Sequence, residues 1–338
     1  MKKIKYEINA IIAILVYVIC FWGITEASDL YSYTLMFEGK IDSRDIAFSY
    51  LSERFSSRGL EFMDLYRFHI VLIAVSTVLM IRRFGINTLF VTIMLIAANY
   101  VDMASQIRFF VALPTSILSM SMFLIDKKKQ SAIILAIIAL LFHKTVVILM
   151  GAFCVIYFLR KKKPRIMIFT GLFANLFLVI MYSIGFVSLD EQYNSYFEDG
   201  NITSFSGALY SLLPILITMG MMIYVHAKII RLIPNIMNDK TYVFLYTMSI
   251  TPLILLLPSF VMQTIIRRFM ITLFPIWLTY YLYVIKTYES DCRRLKLKKY
   301  MAMTLTLRMI WVWIMPLTGI VSSRYYEKLY DILINYEL

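Results

Sequence analysis

The side chains that invite chemistry in this chain are cations and a histidine set among apolar residues. Arg108 stands in Gln106-Ile107-Arg108-Phe109-Phe110, and Arg267-Arg268 stand in Gln263-Thr264-Ile265-Ile266-Arg267-Arg268-Phe269. Each group opens an apolar run, and Arg308 lies inside another. His143 ends the uncharged stretch that starts at Ala132 and is followed by Lys144 and Thr145. Ionisable groups at membrane depth are costly and usually face a cavity or a partner. A guanidinium grips phosphate through a planar fork of donors. A helix start adds its dipole to the pull on an anion. Histidine can move a proton or donate to a phosphate or sugar oxygen. Asp29, in Ser28-Asp29-Leu30-Tyr31-Ser32-Tyr33, offers a carboxylate that either caps a helix or binds a hydroxyl. Plainer roles compete with these. An arginine at the membrane rim can snorkel to headgroups or pair with a carboxylate such as Asp102. His143 can hydrogen-bond backbone in a helix break, and Lys144 can snorkel. Arg108 and the Arg267-Arg268 pair, taken together beside a long polar loop, favour a shared anion site.

These groups need a scaffold, and composition indicates which. Of 338 residues, 60% are apolar and 16% charged, against about 25% charged in a soluble domain. Mean hydropathy is +0.74. A soluble globule of this size could not hide so much apolar surface. The apolar residues run in blocks rather than alternating, which argues against a porin-like barrel. The expected fold is an all-α, polytopic transmembrane bundle forming a single integral membrane domain over 1–338. The net charge of +13 reads as the positive-inside signal rather than as a nucleic-acid surface.

Apolar blocks fall at about 8–25, 66–81, 86–103, 106–125, 131–159, 164–187, 208–230, 241–263, 269–285 and 301–320. Basic turns separate them at Arg82-Arg83, Lys127-Lys128-Lys129, Arg160 to Arg165, Lys228 to Lys240 and Lys286 to Lys299. With the N-terminus, these turns hold 22 of the 34 Lys/Arg but only 5 of the 21 Asp/Glu. That bias places them, and the N-terminus, in the cytoplasm. Block 131–159 is too long for one span, and both its flanks are basic. Two short broken helices with an apex near Phe142-His143-Lys144-Thr145 resolve the conflict. The total becomes about eleven spans, with long external loops at about 26–65 and 188–207. The first is rich in Tyr, Ser and charge, and the second is acidic and aromatic.

Cys20, Cys154 and Cys292 are scattered and, with three His, suggest neither a disulfide framework nor a zinc site. No Walker A, Gly-x-Ser-x-Gly, HExxH or dinucleotide fingerprint is present. There is no Asp-x-Asp metal motif either. No cofactor and no metal are expected.

Several short pieces resemble the EpsG/Wzy-like membrane polymerases of bacterial surface polysaccharides. Asp29, Tyr33 and Phe37 look like that family's Asp-Tyr-x-x-Tyr-x-x-x-Phe piece after the first helix. Asp45-Ile46-Ala47-Phe48 falls where the family often has Glu-Pro-Gly-Phe, with the Pro-Gly lost. Ile107-Arg108-Phe109 matches Ile/Phe-Arg-Gln except at the Gln. Ile138-Ala139-Leu140-Leu141-Phe142-His143-Lys144-Thr145 resembles Ile-Ala-x-x-Phe-His-x-Ser, with Thr for Ser. Arg267-Arg268 resemble the late Arg segment, and Pro316-Leu317 the terminal Pro-Tyr.

The resemblance implies a glycosyltransferase at the outer face of the bacterial inner membrane. Donor and acceptor would both be oligosaccharides on undecaprenyl diphosphate, joined into O-antigen, capsule or exopolysaccharide. A flippase and a chain-length regulator of the same pathway would be partners, together with the lipid bilayer and without nucleic acid. Arg108, Arg267 and Arg268 would clamp diphosphate, His143 would bind phosphate or the acceptor sugar, and Asp29 would serve the acceptor. Tyr33, Asp45, Lys144, Thr145 and Arg308 would line the substrate site. A general base, if needed, would be Asp29, Asp45 or His143. Three other readings compete: a lipid-linked glycan ligase, a polytopic O-acyltransferase with His143 catalytic, and a flippase or exporter. The clustering of polar groups on the outer side and the lack of an inverted repeat weigh against the last two.

Overall fold

The computed structural model describes residues 2–43, 45–159, 205–256, 269–292, 295–318 and 324–337. Among them every element is helical, apart from an isolated bridge between Ile24 and Tyr336. The chain falls into two compact units. The first holds Met1–Val147, Tyr281–Glu289 and Met301–Leu338, and the second holds Ile148–Tyr280 and Ser290–Tyr300.

In the first unit, α1 (Lys2–Phe21) packs on α4 (Phe62–Arg82) and α5 (Thr88–Ser105). Its buried face is Ala10, Ala13, Tyr17 and Phe21, three or four residues apart, while Ile8, Ile11, Leu15 and Ile19 stay exposed. Apolar residues all round suit a helix between protein and lipid. A capping box between Glu61 and Asp64 opens α4, and the Asn87 side chain accepts from Phe90 N–H to open α5. Within α5 the helix kinks at Asn99 (φ −140°, ψ 22°). The central helix is α6 (Ile107–Ser121), buried on nearly all sides and extended by a π-helical turn, Met122–Asp126. Lys127 then turns left-handed (φ 61°) to reverse the chain. Its successor α7 (Lys129–Phe142) packs back along α6, and Ser119 donates to Ala132 O at 2.6 Å.

Residues of the expected first external loop form two short helices, α2 (Leu30–Phe37) and α3 (Ile46–Ser56). The expected break in block 131–159 is present. After α7 ends at Phe142, His143 is extended (φ −160°, ψ 104°) and α8 begins at Val146 (Val146–Leu159).

The second unit contains most of α8, α9 (Phe205–Leu232), α10 (Lys240–Ile250) and the start of α11 (Phe274–Cys292). Asp239 caps α10 through Thr241 and Tyr242 N–H. Next come α12 (Leu297–Met309) and, after a π turn and a 3₁₀ turn, α13 (Arg324–Ile334). Among the described residues, four helices are long and apolar enough to cross a membrane: α4, α5, α6 with its π turn, and α9 from Leu212. Three shorter apolar helices run over Tyr6–Phe21, Lys129–Phe142 and Val146–Leu159. The expected span 164–187 and nearly all of the expected loop 188–207 lie outside the described residues.

Candidate functional site

Three helix ends meet in the first unit: the start of α3, the start of α6 and the end of α7. Asp45 occupies the N-cap position of α3, yet its side chain does not cap the helix. A carboxylate there ordinarily accepts the first helical N–H groups. Instead Asp45 Oδ2 accepts from Arg108 Nη1 at 2.9 Å and lies 3.0 Å from His143 Nδ1. It also accepts the backbone N–H of Lys144. The three side chains are only 5%, 12% and 9% exposed for Asp45, Arg108 and His143. Burial works to raise the pKa of Asp45. The His143 hydrogen bond, the nearby Arg108 charge and the Lys144 N–H outweigh it and hold the carboxyl below its usual range.

Aromatic rings complete the setting. The Arg108 guanidinium carbon lies 4.8 Å from the Tyr33 ring centroid and 5.3 Å from that of Phe48, close enough for cation–π attraction. Phe109 meets the His143 ring edge-on at 5.7 Å. Ser43 Oγ accepts weakly from Arg108 Nη1 at 3.4 Å. Arg108 Nε is buried and has no hydrogen-bond partner among the described residues. The fork is therefore only partly used by protein, and a planar anion could take its remaining donors. Thr145 Oγ1 is likewise buried without a partner among them.

The chemistry follows from the shared oxygen. With Asp45 ionised, His143 Nδ1–H donates to it, and the lone pair of the neutral ring then sits on Nε2. This is how a carboxylate orients an imidazole for proton transfer. Arg108 is meanwhile fixed through Nη1, with Nε left over as a donor. The arrangement can hold an anion and handle a proton side by side.

Of the residues singled out from sequence, Arg108, His143, Asp45 and Tyr33 stand together here. Lys144 adds its backbone N–H while its side chain is exposed, and Thr145 follows in the same break. Asp29 begins α2, half-buried, with its carboxylate 3.4 Å from Ser28 Oγ. Arg308 binds the α5 kink, its Nη2 donating to Ala98 O and Asn99 Oδ1, both at 2.7 Å. Arg267 and Arg268 lie outside the described residues.

Sequence reading missed His69, fully buried on α4 beside the cluster. Its Nδ1 donates to Leu65 O at 2.8 Å, and its ring lies 5.6 Å from Phe48 and 5.8 Å from Phe142. Phe48 thus separates two polar groups, Arg108 and His69. A lone His in the apolar run of α4 was the available signal. Ser43 carried none.

No curated protein and no solved structure matches the chain. One family model does, over residues 5–326, and it takes in the whole Asp45–Arg108–His143 cluster. That family suggests a membrane protein of the polysaccharide-polymerase type. With nearly its full length matched, the chain belongs to the EpsG family.

Proposed function

We propose that this protein is a membrane glycosyltransferase that polymerises oligosaccharide repeat units carried on undecaprenyl diphosphate. The reaction takes place at the outer face of the bacterial inner membrane. The observation that carries this reading is the buried Asp45 carboxylate shared by Arg108 and His143. A donor leaving as a diphosphate develops negative charge as its bond to the sugar breaks. Fixed cationic donors aimed at that charge are the strongest stabilisation such a site can offer.

In this scheme Arg108 binds the donor diphosphate through its unused donors, and Arg267 and Arg268 complete the clamp. The acceptor hydroxyl approaches His143. As its oxygen bonds to the anomeric carbon, His143 Nε2 takes the hydroxyl proton. The bond from anomeric carbon to diphosphate oxygen breaks, and its electron pair leaves with undecaprenyl diphosphate. Asp45 is an anchor rather than the base. Its pKa is held low, and its oxygen is already engaged by Arg108 and His143. Asp29 and Tyr33 serve the acceptor side, with Lys144 and Thr145 at the rim of the break. Arginine takes the role that a divalent cation plays in metal-dependent transferases.

The test is a surface-polysaccharide gel. A deletion is expected to leave carriers bearing one repeat and to remove the ladder. The wild-type gene restores it, and Arg108→Ala, present at wild-type level in the membrane, does not. A deletion that keeps its ladder but loses acetyl groups would favour the acyltransferase instead. Repeat units stranded on the cytoplasmic side would mean a flippase.

A further inference from the structure

α2 has two working faces. Tyr33 lies against Arg108. Leu30, Tyr31 and Thr34, spaced by three and four residues, line a separate cavity of about 470 Å³. Lys328 and Asp331 of α13 line it too, as do Glu26 and Ser28. The volume is in the range of small-molecule sites, about 300–1,000 Å³. Ser28 Oγ donates to Ser105 Oγ at 3.0 Å, and Ser105 ends α5 directly before the turn that carries Arg108. The cavity and the ionic cluster are thus the two sides of one short helix.

The walls are pinned to each other. Residues 335–337, beyond α13, run along the corner between α1 and α2. Glu337 N–H donates to Gly23 O at 2.7 Å, and Thr25 N–H donates to Asn335 O at 3.3 Å. Asn335 Nδ2 donates to Glu26 at 2.9 Å. A Cβ on Gly23 would sit 1.8 Å from Glu337 O, so only glycine permits this approach. The cavity is therefore built into the unit rather than left between loose segments.

Its chemistry is that of a sugar site. Tyr31 is 74% exposed and presents a ring face with a polar tip. The hydroxyls of Ser28 and Thr34 and the carboxylates of Glu26 and Asp331 offer hydrogen-bond partners to ring hydroxyls. Two carboxylates against one lysine make the lining net negative, which repels a phosphate headgroup or a uronic acid. We propose that this cleft binds uncharged pyranose residues of the glycan, next to the reaction centre. The inference rests on the polymerase reading and deepens it by adding a glycan subsite.

Two measurements test it. In the deletion strain, Tyr31→Ala and Asp331→Asn are expected to support polymerisation but to shorten the most abundant chain length at least twofold. An unchanged length distribution in both, with protein at wild-type level, overturns the cleft and leaves the polymerase reading standing. A ladder that persists without the gene sinks the polymerase reading itself. The second measurement does not depend on activity. Tyr31→Cys in proteoliposomes is labelled with an impermeant maleimide. The probe is the oligosaccharide released by mild acid from the strain's own lipid-linked repeat units. Several-fold slower labelling with the probe supports the site. Absence of protection, or equal protection by glycerol 3-phosphate, overturns it.

Discussion

Two arginines of the first unit have partners of opposite kinds. Arg308 donates to Ala98 O and Asn99 Oδ1, while Trp313 Nε1 donates to Ala97 O at 3.0 Å. These acceptors are neutral and surround the kink of α5 at Asn99, where the helical ladder is interrupted and carbonyls need other donors. Arg308 repairs backbone. Arg108 meets a carboxylate that also holds His143. The two are alike in sequence, each a cation within an apolar stretch. Their partners tell them apart. In the proposed scheme the cation on carbonyls holds the fold together, and the one on a carboxylate shared with histidine serves the chemistry.

Arg108→Ala should break this comparison most sharply. Loss of a preorganised donor to developing charge costs roughly 100- to 1,000-fold in rate, and the polymer ladder should vanish from gels while the protein persists in membranes. Arg108→Lys should rescue little, since an ammonium lacks the fork. His143→Gln should slow polymer formation by about 100-fold, measured as repeat units joined per minute at equal protein level. Carriers bearing one repeat should accumulate.

Asp45→Asn separates anchoring from catalysis. Stripping the counter-charge from a buried arginine costs on the order of 3 kcal/mol, seen as a lower unfolding temperature in detergent. It should also change the acid limb. The folded carboxyl of Asp45 lies below its ordinary value of 3.8. Its contribution is therefore fully present above pH 3.8 and is lost as pH falls through the lower folded value. Wild type should lose unfolding temperature over that acid range, and the Asn variant should lose less.

The smallest effect on activity belongs to Arg308→Ala. Two charged-donor hydrogen bonds to the kink disappear, at about 1.5–3 kcal/mol each at most. Thermal stability should fall by several degrees, while activity per folded molecule stays within a few-fold of wild type. Equal loss of activity in Arg308→Ala and Arg108→Ala would erase the distinction drawn between them.

The sequence made some of this legible for physical reasons. Lys127-Lys128-Lys129 and Arg160 to Arg165 bracket a run too long for one crossing, so the break at His143 could be read from charge and length. Arg108 and His143 stood out because ionisable groups in apolar runs are rare. Asp45 did not stand out as the hub. It sits 98 residues from His143, and its position looks like an ordinary N-cap until the side chain is seen turned away from α3. Asp29 as a helix cap was the one hint of α2, and α3 was hidden, because helices of 8 and 11 residues carry little periodicity and sit in a polar segment. Arg308 drew attention as a cation inside an apolar run, but its partner at Asn99, 209 residues away, has no local signature. His69 was passed over because a single histidine among apolar neighbours resembles ordinary core.

The most direct test of the cluster uses purified protein in liposomes supplied with lipid-linked repeat units. Release of undecaprenyl diphosphate is followed for wild type, Arg108→Ala and Arg308→Ala. The account predicts release with wild type and Arg308→Ala and at least a 100-fold slower release with Arg108→Ala. Release by Arg108→Ala at the wild-type rate would contradict it.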